Sequence, residues 1–416
     1  MGKASIGANN SAMGRDVLIV GAGHSGTALA ACLRSKGFAG SILLAGDEPH
    51  LPYERPPLSK AALLAAGDYA PAPLRPAGFW EREGIELASG CAVRAINPEA
   101  RRARLSDGRS VRFGWCVLAT GGRARPLACS GADLPGIHSL RNLDDTLRLR
   151  TALAGAQRLV VIGGGYIGLE VAASARALGR QVDVVEMQSR VLSRVTSRIV
   201  STYIEDLHRA QGVRFHLGRG VAAIEGPDRA RTVILDDGTR LAADLVLVGI
   251  GIEAETALAE AAGIACHGGV LVDSAFRSSA PAVLAIGDCA RHPNDFAGGL
   301  WRLESVQHAQ DSAGIAADTI MGRASSYHDV PAFWSEQYDV RLQSAGIARD
   351  ADDLVVRGDS RAGPFSVVYL RDGRIIAIDA INAPREFIAA RRLIAERASL
   401  DRNRLADSGL PLRAFA

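Results

Sequence analysis

An α/β fold with two βαβ-based nucleotide-binding domains and a smaller α+β C-terminal domain is what the sequence predicts, from three observations. Two glycine-rich loops, Gly21-Ala22-Gly23-His24-Ser25-Gly26 and Gly163-Gly164-Gly165-Tyr166-Ile167-Gly168, each lie between a short apolar strand and a helix of small residues. Each loop is followed by an acid at the spacing of a ribose-binding carboxylate: Asp47 comes 21 residues after Gly26, and Glu186 comes 18 residues after Gly168. Past Gly322 the texture changes, as Trp334, Tyr338 and two strand-like runs precede a final helix. The first two observations define Rossmann-type dinucleotide sites, and the third defines a separate small domain.

The elements follow in order. Residues 17–20 form a buried strand, 24–36 a helix and 41–45 the next strand, which make one βαβ unit. Tyr53-Glu54-Arg55-Pro56-Pro57-Leu58-Ser59-Lys60 comes next, its paired prolines holding the backbone extended and rigid, with Lys60 opening a helix. Residues 117–120 are an apolar strand running into Gly121-Gly122. The second unit has a strand at 159–162, a helix at 166–178 and a strand at 181–185, with Glu186 directly after it. Residues 245–251 form a buried strand ending in Gly249-Ile250-Gly251, and 270–272 and 283–286 return to strand character before Gly287-Asp288. Runs at 365–370 and 374–378 and a helix at 386–397 complete the C-terminal domain.

Composition narrows the function. A chain of 416 residues, 48% apolar, is long enough for two or three domains with a sizeable core. A net charge of +3 excludes a strongly basic nucleic-acid binder. No apolar run approaches the roughly 20 residues that span a bilayer. The N-terminal residues are polar and rich in Gly, Ser and Asn, which predicts a disordered tail over 1–13, no signal peptide and a cytoplasmic location. Cys32, Cys91, Cys116, Cys129, Cys266 and Cys289 include no C-x-x-C or C-x4-C pair, so free thiols are expected. The nine histidines show no H-x-x-H or H-E-x-x-H spacing, so no metal site is expected.

A glycine-rich loop lets the backbone approach a pyrophosphate at a helix N-terminus, where free N–H groups and the helix dipole favour negative charge. Two such loops in one chain suggest two dinucleotides side by side with electrons moving between them. A carboxylate at the end of the second strand accepts hydrogen bonds from the ribose hydroxyls of NAD and repels the 2′-phosphate of NADP. Glu186 therefore predicts NADH, with Arg190 and Arg194 the nearby cations able to meet a 2′-phosphate.

The motifs Arg55-Pro56-Pro57-Leu58-Ser59-Lys60, Ala119-Thr120-Gly121-Gly122-Arg123, the VIGGGYIGLE run at 161–170, Ile286-Gly287-Asp288-Cys289-Ala290, Glu304-Ser305-Val306 and Phe333-Trp334-Ser335-Glu336-Gln337-Tyr338 carry a resemblance. Their order and spacing resemble the FAD-dependent, NADH-linked ferredoxin reductases of oxygenase systems, over nearly the whole chain from Asp16 to Leu412. Putidaredoxin reductase and the reductase components of biphenyl-type dioxygenases are members. Val306, where some dioxygenase reductases have Trp, resembles the putidaredoxin reductase branch.

The resemblance implies a glutathione-reductase-like architecture. FAD would occupy a discontinuous domain at 14–118 and 248–324, NADH a domain at 119–247, and the C-terminal domain would span 325–416. It implies FAD contacts from Gly21, Gly23, Ser25, Gly26, Ala119, Thr120, Gly121, Gly287 and Glu304, with Asp47 on the ribose and Asp288 on the ribityl chain. Arg55, Lys60, Val93, Arg123, Arg141 and Val306 also match FAD-contacting positions, although Val93 also reads as a core strand residue and Arg141 as a solvated charge. NADH would meet Gly163, Gly165, Tyr166, Ile167, Gly168, Glu186, Arg194, Gly249 and Gly251. Lys60 and Glu170 would form an ion pair beside the flavin, the cation favouring reduced flavin and the carboxylate orienting the nicotinamide amide. Trp334 would stand near the isoalloxazine on the electron exit route, with Trp301 a second candidate for the flavin rim.

The partner implied is a 2Fe–2S ferredoxin, an acidic electron carrier. The C-terminal stretch 384–416, with seven arginines (385, 391, 392, 397, 402, 404, 413) against four acids, reads either as a solvated face or as a basic patch for that carrier. A rubredoxin reductase, an NADH oxidase or peroxidase, and a redox sensor like the apoptosis-inducing factors are the competing readings. The oxidases typically use a reactive cysteine near the flavin, and residues 53–60 contain none. Monomer and homodimer are both compatible with the sequence.

Overall fold

The computed structural model describes residues 13–361 and 363–415. The tail expected at 1–13 lies outside these residues apart from Met13, where the first strand begins. The chain forms two compact units. One comprises the residues up to Tyr53, Ala72–Gly122 and Ala254–His328; the other comprises Glu54–Pro71, Arg123–Glu253 and Asp329–Ala416.

The first unit is built on a parallel sheet in the order Ile85–Ala88, Ile42–Ala45, Met13–Val20, Ser110–Leu118, Val283–Ala285. Residues 17–20, 42–45, 116–118 and 283–285 are buried throughout, as in a parallel sheet covered on both faces. Val20 pairs with both Ala45 and Leu118, so three strands end level beneath the first glycine loop. Val93–Asn97 and Arg102–Leu105 extend the sheet antiparallel. Helix His24–Ser35 packs on helix Val306–Ile320, where Ala28, Ala30, Ala313 and Ala316 are buried and permit close approach. The fully buried Leu29 and Leu33 contribute about 2 kcal/mol each to this core.

In the second unit a parallel sheet runs Val213–Leu217, Gln181–Glu186, Arg158–Ile162, Leu245–Val248, Ile137–His138. Its C-terminal part is an antiparallel sheet ordered Ala332–Gln337, Val340–Gly346, Arg374–Ile381, Phe365–Arg371, Asp353–Gly358, with helix Pro384–Ala395 against it. Arg357, 2% exposed, gathers the chain end: its guanidinium donates to Glu386 Oε2 at 2.6 Å and to the carbonyls of Leu405, Asp407 (3.2 Å) and Leu410 (2.6 Å). Among the described residues no helix is long and apolar enough to cross a membrane.

One local expectation is corrected. Pro56 and Pro57 do not hold the backbone extended; they open a 3₁₀ turn, Pro56–Ser59, at its first positions. The fixed proline φ suits a helical first turn as well as an extended chain, and the missing N–H costs nothing there. The turn places Lys60 as the cap of the next helix, Ala61–Leu64.

Candidate active site

The two glycine loops share one backbone geometry. Gly21 and Gly163 both have φ +108°, and a Cβ on either would run into a carbonyl, of Ala119 or of Gly249. A Cβ on Gly26 or Gly168 would strike the carbonyl of Gly21 or Gly163. Only glycine permits this closeness. The helices that follow start at Gly23 and Gly165 with no side-chain cap. By contrast, the helices Leu143–Gly155, Arg198–Ala210 and Val306–Ile320 are capped by Asn142, Ser197 and Ser305. The glycine-led helices thus present first-turn N–H groups to an external anion, which fits the pyrophosphate of a dinucleotide in each unit.

The acids differ in setting. Asp47 is exposed just beyond strand Ile42–Ala45. Glu186 ends its strand, accepting from Gly164 N at 2.7 Å through Oε2 and from Gln188 N at 2.8 Å through Oε1. A carboxylate has about four acceptor sites, so it can still receive ribose hydroxyls. Arg190 is turned to other partners, Ser201 Oγ at 2.6 Å and the Ser193 carbonyl at 2.9 Å. Arg194 is exposed and reaches toward Gly251.

In the second unit Lys60 and Glu170 come together. Lys60 Nζ lies 3.1 Å from Glu170 Oε2. Glu170, 4% exposed, also accepts from Ser59 Oγ and from Ser335 Oγ, the latter at 2.7 Å on Oε1. A cation and two hydroxyl donors compensate a carboxylate that burial alone would disfavour. The 3₁₀ turn is tied to the same helix, since Ser174 Oγ donates to the Ser59 carbonyl at 2.8 Å. One turn earlier on that helix, the Tyr166 ring packs at a tilt on Phe333, with centroids 4.3 Å apart, and its hydroxyl bonds Ser344. Along strand Ala332–Gln337, Phe333 and Ser335 therefore meet the glycine-led helix, and the alternation of a strand puts Trp334 on the opposite face. Trp334 is half-buried.

The remaining candidates divide between the units. The first unit holds Ser25, Val93, Ala119, Thr120, Gly121, Gly287, Asp288, Trp301, Glu304 and Val306. There Gly287 returns to the first glycine-led helix: a Cβ on it would lie 2.7 Å from Ser25 Oγ, and its N–H donates to Ser312 Oγ at 3.1 Å. Thr120 Oγ1 donates to the Glu255 carbonyl at 2.7 Å. Val93 is a half-buried strand residue packed on the core, and Val306 is the first residue of its helix. The second unit holds Arg55, Lys60, Arg123, Arg141, Ile167, Arg194, Gly249, Gly251 and Trp334. Arg55 donates to the Arg141 carbonyl at 2.9 Å, and Arg123 pairs with Glu253 at 3.2 Å. Ser59 and Ser335 are the residues sequence reasoning passed over; both lie inside quoted motifs, next to Lys60 and Trp334. All six cysteines are free.

This chain matches the family model of the pyridine nucleotide-disulphide oxidoreductases over residues 15–313 and the reductase C-terminal model over 332–416. It is 46% identical to a ferredoxin–NAD(P)(+) reductase of Sphingomonas, with 96% of this chain and 97% of that protein covered. It is 39% identical to putidaredoxin reductase of Pseudomonas putida, with 96% of each covered. In the crystal structure of the covalent putidaredoxin reductase–putidaredoxin complex, a chain 38% identical superposes with a TM-score of 0.92, covering 96% of this chain and 98% of that one. The protein belongs to the pyridine nucleotide-disulphide oxidoreductase family, among its ferredoxin reductases, and shares their glutathione-reductase-like fold. As an oxidoreductase of that group it uses FAD and NAD(P)H.

Proposed function

We propose that this protein takes hydride from NADH and passes single electrons to a 2Fe–2S ferredoxin feeding an oxygenase, in the cytoplasm. The observation that carries the reading is the pair of uncapped glycine-led helices in a chain whose cysteines are all free and show no C-x-x-C or C-x4-C spacing. Two dinucleotides are provided for, and a dithiol relay is not. Bound FAD supplies what neither partner can, acceptance of electrons in pairs and their release one at a time.

The first unit binds FAD through the Gly23-led helix, with Asp47 accepting from the ribose and Asp288 from the ribityl chain. Val93, Glu304 and Val306 are its further contacts by family position. The second unit binds NADH through the Gly165-led helix. Glu186, with Arg190 tied to Ser201 and Ser193, makes the ribose end hostile to a 2′-phosphate. Glu170 orients the nicotinamide amide, Lys60 supplies the positive charge paired with it, and Trp334 lies on the route out. The exposed face of helix Pro384–Ala395, carrying Arg385, Ile388 and Arg392, suits an acidic carrier.

The test is NADH oxidation in air by the purified, FAD-loaded protein, with and without a 2Fe–2S ferredoxin plus cytochrome c. Strong ferredoxin-dependent cytochrome c reduction, weakening with salt, is expected. Fast oxidation by oxygen alone, without stimulation, would move the protein to the oxidases.

A further inference from the structure

The Ser335 hydroxyl that reaches Glu170 is the last member of a longer series. Gln337 Nε2 donates to Ser335 Oγ at 3.2 Å, and Gln337 Oε1 lies 2.8 Å from His208 Nε2. His208 Nδ1 lies 3.3 Å from the Tyr338 hydroxyl. His208 is fully buried in helix Arg198–Ala210, and Gln337 and Ser335 are buried side by side on one face of strand Ala332–Gln337.

The direction of every bond is fixed from one end. A carboxylate only accepts, so Ser335 must donate to Glu170. The Ser335 oxygen must then receive the Gln337 amide N–H, which turns the Gln337 oxygen toward His208. That oxygen only accepts, so His208 Nε2 carries the proton and Nδ1 is bare. The bare nitrogen requires Tyr338 to donate. Burial supports this state at both ends, lowering His208 to about 4 and raising the Tyr338 phenol to about 12. The histidine stays neutral and the tyrosine keeps its proton.

We propose that Tyr338, His208, Gln337 and Ser335 form a one-directional hydrogen-bond chain that positions the Glu170 carboxylate for the nicotinamide, with His208 locked as the neutral Nε2–H tautomer. This rests on the role given to Lys60 and Glu170 above. The four are positioning residues, acting through Glu170. The amide of Gln337 passes polarity and not protons, so the chain holds an orientation and does not conduct. Lys60 and Ser59 engage Oε2, leaving Ser335 as the donor that fixes Oε1 and hence the rotation of the carboxylate.

The test uses the FAD-loaded full chain labelled with 15N-histidine. The His208 resonances should show a neutral ring protonated on Nε2. Gln337→Glu replaces the amide N–H by an acceptor, so Ser335 turns from Glu170 to the new carboxylate and His208 becomes the imidazolium at neutral pH. Ser335→Ala should slow flavin reduction at saturating NADH about tenfold, the worth of one hydrogen bond to a charge, with FAD retained. Ser335→Thr, which keeps the hydroxyl, should restore the rate. A His208 ring protonated on Nδ1, or no change in its state in Gln337→Glu, overturns the chain. An unchanged reduction rate in Ser335→Ala overturns its positioning role. Lys60→Met separates the two levels: if that variant reduces normally while the tautomer is as stated, the assignment of Lys60 and Glu170 fails, and the role of the chain fails with it although its wiring stands.

Discussion

The two glycine-led helices begin alike and do different work. Their loops have the same φ at Gly21 and Gly163 and the same uncapped start. The fifth helical residue then separates them. In the first helix it is Ala28, buried among small side chains; in the second it is Glu170, buried among Lys60, Ser59 and Ser335. In the function proposed above the first helix holds a phosphate and packs, while the second also carries a charge that needs partners from distant sequence. On that proposal a shared fingerprint places each dinucleotide, and the next turn of helix decides what is done with it.

The strongest way to break this comparison is to spoil one loop at a time. Gly26→Ala should give protein that is purified without flavin colour, because the new Cβ strikes the Gly21 carbonyl. Gly168→Ala should retain FAD, visible by its absorbance, and lose saturable reduction by NADH. If Gly168→Ala loses the flavin instead, the assignment of loops is reversed. Next in size, Lys60→Met should slow anaerobic flavin reduction by NADH about 10²-fold while FAD stays bound; stopped-flow absorbance measures it.

A smaller effect separates the acids. Glu186→Ala removes the carboxylate at the ribose, so kcat/KM for NADH should fall about tenfold and the preference over NADPH should shrink. Steady-state assays with both cofactors decide this, and a preference unchanged by the substitution would show that Glu186 is not the discriminator.

The smallest contrast concerns two buried histidines, one in each unit. Both His208 ring nitrogens have partners, whereas neither ring nitrogen of His308 does among the described residues. His308 stacks on His292 at 4.9 Å beside Phe276. His308→Phe should therefore leave the thermal midpoint level or raised, and His208→Phe should cost about 2 kcal/mol by stranding Gln337 and Tyr338. Burial lowers both groups, to about 4 for His208 and about 3 for His308, from 6.5. The unfolded chain binds these protons first, so stability is full above pH 6.5 and declines as pH falls toward the folded values. His208 alone accounts for about 3 kcal/mol of that decline. Melting curves from pH 7 to pH 4 should be flatter in either variant.

Much of this was legible in the sequence because glycine is informative where backbone must pass backbone. The loops at Gly21 and Gly163 and the positions of Asp47 and Glu186 just beyond their strands follow from local pattern, and the return at Gly287 follows from the resemblance. The surroundings of Glu170 do not. Ser335 is 165 residues away from it and Ser59 is 111 away, and serine has no spacing rule that marks it as a donor to a buried carboxylate. The proline pair misled because its φ suits two conformations, and the choice between them lay in the tertiary bonds to Ser59 and Leu58. Arg190 looked available to a 2′-phosphate until Ser201, eleven residues on, claimed it.

Arg357 has a practical consequence for anyone handling this protein. Its guanidinium depends on carbonyls at positions 405, 407 and 410, so a deletion that begins before Leu405 would leave a buried cation with Glu386 as its only remaining partner in that set. A fusion joined beyond Leu410 leaves all three acceptors in place. Epitope or affinity handles therefore belong beyond these acceptors, and proteolytic trimming that removes them should register as a loss of heat resistance before it registers as a loss of colour.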